Sequence, residues 1–153
     1  MDSRDRVEAA LAHQRPDRPP VSAWGHTFLE EWDSQRLALA TTVSAHRFTW
    51  DFIKLQPRAS CFAEAFGSEY RASGNDRQAP VLVKQAVSRP EDWERVVVEE
   101  PRKEPLDDQV EALAGVVARV GPRVPVLQTV FSPLTVAGYL VGKDQSRVMR
   151  ELT

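Results

Sequence analysis

Short strand-like stretches set apart by helical periodicity constrain this chain more than any other feature. Pro20–His26, Asp51–Pro57 and Val124–Phe131 are β-prone or continuously apolar, and helix-like patterns fill the intervals between them. Strands joined by crossovers of that length run parallel, because a tight hairpin leaves no room for an intervening helix. The order of helix, strand, helix, strand, hairpin, helices, strand and helix predicts an α/β chain. It reads as part of a (β/α)8 TIM barrel, with about three core parallel strands and a β-hairpin insertion. Eight strands need roughly 250 residues, and the chain has 153. Residues 1–153 are therefore expected to be the N-terminal part of a barrel domain, apparently truncated.

The individual elements follow from local chemistry. Ser3 is placed to cap a first helix carrying Val7, Ala10 and Leu11, which Pro16, Pro19 and Pro20 end. Phe28, Trp32, Leu39 and Val43 share a helical stripe of four or five turns, and residues 59–68 read as a loop. Glu69–Ala72 and Val81–Lys84 flank the turn Ser73-Gly74-Asn75-Asp76 as a hairpin. A helix is expected to start near Pro90, after Ser88, and to carry Trp93. Another holds Val110, Leu113, Val117 and Val120 up to Gly121-Pro122. Ser132-Pro133 has the order of cap and first helical proline, and a last helix from Asp144 is still running at Thr153.

Composition narrows the function. The net charge of −2 gives no field that favours nucleic acid or an anionic membrane. One cysteine, Cys61, cannot form an internal disulfide and suits a reducing compartment. The N-terminus leads into an amphipathic helix, and no apolar run approaches membrane-spanning length, so a cytoplasmic location is expected.

Strand parity nominates a cleft. Ile53 and Leu55 share one face of the second strand, and Lys54, Gln56 and Arg58 share the other; Ser22, Trp24 and His26 share a face of the first. Gln128 is the polar residue within the third strand. If these groups converge they form a cationic site with amide donors, suited to a small anionic substrate such as a carboxylate. Lys54, Gln56 and Gln128 are then substrate-binding, and His26 and Arg58 are the catalytic candidates, with His26 as proton donor. The plainer alternative has Lys54 and Arg58 reaching solvent or a structural carboxylate, and His26 satisfied by backbone. His13 and His46 fit helix ends, and Cys61 fits a small buried hydrophobe. No metal-ligand spacing is present. Gly138–Asp144 lacks the glycine spacing and hydroxyl residue of a phosphate loop.

Some stretches carry a family likeness. Arg6-Val7-Glu8-Ala9-Ala10-Leu11-Ala12-His13, with Pro16-Asp17-Arg18-Pro19-Pro20-Val21, resembles the opening of the uroporphyrinogen decarboxylase (URO-D) family. Arg123-Val124-Pro125-Val126, with Ser132-Pro133-Leu134-Thr135-Val136-Ala137-Gly138-Tyr139-Leu140, resembles its third-strand region, and Asp51–Gly67 has the spacing of its second strand and following loop. The likeness spans nearly all of the chain but only the first part of a family member.

The resemblance implies a (β/α)8 barrel. In founding members it implies a carboxy-lyase of porphyrin and haem biosynthesis that decarboxylates a porphyrinogen without cofactor. Those members carry an Arg-Gln-Ala-Gly-Arg motif after the first strand, where this chain has Gly25-His26-Thr27-Phe28-Leu29. They end the second strand with a key aspartate, where this chain has Arg58. These departures point from tetrapyrroles toward another anionic substrate. Relatives use zinc to move methyl groups between corrinoid proteins and thiols, with zinc ligands in the C-terminal part, so methyl transfer with zinc and corrinoid is the alternative activity. A homodimer fits either enzyme. A third alternative is a non-catalytic partial barrel that pairs its open strand edges with a protein partner.

Overall fold

The structure is a computed structural model that describes residues 1–151. Its helices are α1 (Ser3–Leu11), α2 (Ser34–Arg47), α3 (Cys61–Ala65), α4 (Glu104–Val120), α5 (Pro133–Leu140) and α6 (Gln145–Glu151). Its strands are β1 (Ile53–Leu55), β2 (Glu69–Arg71), β3 (Val81–Lys84) and β4 (Val126–Gln128). Single 3-10 segments lie at Glu30–Trp32 and Pro90–Arg95.

β1 and β4 pair in parallel, with Ile53 opposite Val126, Lys54 opposite Leu127 and Leu55 opposite Gln128. β2 and β3 form a separate antiparallel hairpin with an irregularity at Glu69/Tyr70. Among the described residues these are two two-stranded sheets, and neither closes. The partial TIM barrel is thus corrected: the chain is mostly helical, with one parallel strand pair where about three parallel strands were expected. The missing strand is Pro20–His26, which is irregular here. Pro19 and Pro20 have no N–H to donate, and the Val21 N–H goes to the Asp51 carboxylate at 2.8 Å. Among the described residues one backbone–backbone hydrogen bond, from the Asp51 N–H to the Val21 carbonyl at 2.7 Å, links that segment to the backbone leading into β1, and Ser22 Oγ adds a side-chain bond to the Phe52 carbonyl at 2.6 Å.

The helices also differ in detail from their sequence pattern. Asp2, not Ser3, caps α1, in a reciprocal pair with Asp5. The segment from Phe28 does not run as one helix: Asp33, in extended conformation, starts α2 afresh by accepting from the Arg36 N–H. The buried face of α2 is Leu37, Ala38, Thr42 and Ala45, while Leu39 is 54 % exposed. In α4 the buried residues are Gln109, Ala112 and Val116, and Val110 is 65 % exposed. Part of the expected loop at 59–68 folds as α3, and Pro90–Arg95 winds only as 3-10 helix. The last helix runs to Glu151; Leu152 and Thr153 lie outside the described residues.

Two apolar clusters hold these elements. One joins α2 and α4 to the helix-facing side chains of the parallel pair, Ile53 and Leu55, both wholly buried. Each such side chain contributes about 1.5–3 kcal/mol on burial. The other gathers Ala63, Val87, Leu140, Val141 and Val148 around α3, α5 and α6.

An ion-pair network ties the N-terminus to the start of β1. Buried Asp51 accepts from Arg6 Nη1 at 2.6 Å, from both terminal nitrogens of Arg18, and from the Val21 N–H. Arg6 also forks onto Asp17, at 2.7 Å and 2.8 Å. The residues of α1 and of the Pro16–Val21 segment that carry the family likeness are therefore structural glue beneath β1.

Candidate functional site

β1 has two faces with different work. Ile53 and Leu55 enter the helical core, so Lys54 between them, and Gln56 beyond, turn to the opposite side. There they meet the irregular Ala23–Thr27 segment and the near face of α2. Together these line a cleft of about 210 Å³ whose chemistry-bearing side chains are His26, Lys54 and Gln56. Trp24, Phe48 and Trp50 supply aromatic walls. Lys54 Nζ stands 3.9 Å from the centroid of the Trp24 ring, a cation–π contact that holds the charge at the wall. Gln56 is buried and accepts from Thr129 Oγ1 at 3.5 Å.

His26 is fixed by a fold-back of the chain after it. The Thr27 carbonyl accepts from the Glu30 and Glu31 N–H groups, turning Glu31 back on the segment it left. Glu31 Oε1 then sits 2.7 Å from His26 Nδ1 and accepts from the Thr27 N–H at 3.0 Å. Phe28 stacks on the imidazole with centroids 4.8 Å apart and planes 10° apart. Glu31 is 1 % exposed, and its Oε2 has no hydrogen-bond partner among the described residues.

The other two candidates lie apart from this cleft. Arg58 is buried, with Nε 3.2 Å from Glu64 Oε1 and Nη2 2.9 Å from Glu64 Oε2, and its guanidinium carbon lies 4.8 Å from the centroid of Trp32. Its remaining reach is to Asp108 and to the Glu31 carbonyl, and its N–H is taken by Gln109. Gln128 is paired with Leu55, so it shares the helix-facing side of the sheet and not the side of Lys54. Its Nε2 donates to the Thr129 carbonyl, and its buried Oε1 lacks a partner among the described residues.

Glu31 and Glu64, the partners that fix His26 and Arg58, were not singled out from the sequence. Glu31 stands five residues from His26, a spacing that belongs to no regular element. Its one signal is a carboxylate flanked by Phe28, Leu29 and Trp32, in a stretch otherwise built for burial.

A larger apolar groove of about 460 Å³ opens beyond the ends of β1 and β4, between Phe62, Phe66, Trp93, Phe131 and Leu140. Among the described residues no ionisable side chain lines it. Among the described residues no three or more His, Cys, Asp or Glu side chains gather to hold a metal ion. Burial pushes the Cys61 thiol up to about 12, against a partly offsetting pull from Arg58, the reverse of what a thiolate ligand needs. No described helix is long and apolar enough to cross a membrane.

Comparison with known proteins completes the picture. A solved methyltransferase from Methanosarcina mazei is similar in fold, with a TM-score of 0.73 and 21 % identity, over 97 % of this chain and 48 % of that one. The chain thus spans about half the length of that structure, and at this identity the likeness speaks for the fold alone. No curated protein matches. The expectation of a porphyrinogen decarboxylase, with its lyase and porphyrin-biosynthesis associations, is corrected here. The described residues form no closed barrel, and the structure is similar to a solved methyltransferase. Residues 2–153 nevertheless match the family model described as Uroporphyrinogen decarboxylase (URO-D), nearly the whole chain, and by that match the chain belongs to this family.

Proposed function

We propose that this chain is part of a methyl-transfer enzyme that acts on a small anionic substrate. The observation that carries the reading is the fold likeness to a methyltransferase across 97 % of the chain. The cleft beside β1 supports it. Lys54 provides a fixed positive charge, Gln56 an amide and His26 an imidazole, in one small concavity with aromatic walls. In this reading Lys54 holds the substrate's anionic end and Gln56 orients it. Gln128 and Arg58 brace the sheet and the loop after it.

Zinc and a methylated corrinoid, the latter as methyl-donating substrate, are the partners of this proposal. Among the described residues no three or more His, Cys, Asp or Glu side chains gather to hold zinc, so in this reading its ligands come from elsewhere in the full-length protein. The test is a methyl-transfer assay on the full-length protein, with a methylated corrinoid as donor and a small thiol acid as acceptor, followed by the corrinoid spectrum. Turnover that falls at least tenfold in kcat/KM in Lys54→Met is the expected result. Absence of turnover with zinc supplied overturns the reading.

A further inference from the structure

We propose that His26 and Glu31 form a base dyad, with His26 Nε2 taking the proton of a small weak acid bound beside Lys54 and Glu31 acting as the positioning residue. This rests on the reading of the Lys54 cleft as a substrate site. It adds the proton chemistry and a residue that was assigned no role.

Three observations converge on it. The 2.7 Å contact from Nδ1 to Glu31 Oε1 assigns the ring proton of neutral imidazole to Nδ1, which leaves a lone pair on Nε2. Nε2 has no hydrogen-bond partner among the described residues, and the ring lines the cleft. The ring cannot readily turn, because Phe28 covers one face and the Thr27 N–H anchors the Glu31 oxygen that holds it.

In the step, the X–H bond of the acid breaks and an N–H bond forms at Nε2. The electron pair stays on X, whose new negative charge lies in the cleft that holds Lys54. The imidazolium is balanced by the Glu31 carboxylate behind it. The charged groups that bear on His26 are Glu31, Lys54 across the cleft, and Arg58, whose Nη1 lies 3.4 Å from the Glu31 carbonyl. The α2 side chains on that cleft, Thr41 and Ser44 among them, are uncharged.

Two readouts test this without methyl transfer, so a failed methyl-transfer assay and a failed dyad are told apart. Long-range proton–nitrogen correlation on the labelled chain above neutral pH should show His26 as the Nδ1–H tautomer, with both tautomers present in Glu31→Gln. An Nε2–H tautomer in the unaltered chain overturns the proposal. The second probe is 4-nitrophenol, a compact acid whose ionised form is coloured. Its bound phenolate-to-phenol ratio should rise about tenfold over free solution, and the rise should vanish in His26→Gln. No rise, or the same rise in His26→Gln, overturns the proposal; the tautomer reading on the unaltered chain stands whether or not that variant folds.

Discussion

The Cβ that Gly115 lacks would lie 3.0 Å from the Cβ of Ala38, so α2 and α4 cross with almost nothing between their backbones. The same position would meet the end of Arg119, which can move away; the Ala38 methyl, wholly buried, cannot. A glycine inside a helix costs about 1 kcal/mol relative to alanine, and here the close crossing offsets it. Gly115→Val adds branched bulk to that contact and should lower unfolding free energy by about 2 kcal/mol. Urea titration of the variant checks it, and an unchanged midpoint would show that the crossing has slack.

This crossing also explains how far the sequence could be read. Helical periodicity in α4 is plain, but the large apolar residues Val110 and Val117 mark the exposed flank, while Ala112, Gly115 and Val116 lie at or near the contact. Close packing selects small residues, and small residues carry little signal in a pattern of hydrophobic bulk. β1 was legible because Ile53 and Leu55 bracket Lys54 with period two. The strand expected at Pro20–His26 was not, since its donor went to the Asp51 side chain, a partner distant in sequence. The placing of His26 and Lys54 in one cleft was open to parity reasoning. The fold-back that brings Glu31 onto His26 was not, because it is a loop geometry without a period.

Asp51 predicts an acid-sensitive fold. Burial pushes its pKa up, but hydrogen bonds from Arg18, the Val21 N–H and Arg6 outweigh that and leave it below the ordinary carboxylate range. The hydrogen bond from Arg6 likewise lowers Asp17. A carboxylate depressed in the folded state adds stability above its unfolded pKa, near 4, and loses it as pH falls through the folded value. Stability should therefore be steady from neutral pH down to about 4 and fall below that. Asp51→Asn should flatten this limb and cost about 3 kcal/mol at neutral pH, since it strips the buried Arg6 of its buried carboxylate partner. Thermal melts between about pH 2 and about pH 7, which span the carboxylate range, measure both effects.

Cys61 should be inert in the native state. Burial raises its thiol to about 12, so the thiolate that reacts with alkylating agents is scarce at pH 8. Against a free thiol near 8.5, the thiolate fraction falls by roughly three orders of magnitude. Iodoacetamide labelling followed by mass spectrometry should therefore be very slow on the folded chain and fast in denaturant. Fast labelling of the folded chain would mean that α3 opens readily.

Arg58 and Glu64 form a two-pronged pair, with a side chain only 5 % exposed on the arginine. Lysine in that place keeps the charge but gives one point contact where the fork gives two, and it loses the flat stack on Trp32. Arg58→Lys should therefore destabilise the fold by about 2 kcal/mol, by leaving part of the Glu64 carboxylate buried and unpaired. If the role of Arg58 is to brace the loop after β1, binding of a small carboxylate in the Lys54 cleft should change little in Arg58→Lys but drop in Lys54→Met. Calorimetric titration of both variants at a temperature where each is folded separates the roles. Loss of binding in Arg58→Lys with the fold intact would move the substrate site from the Trp24 wall toward Glu64.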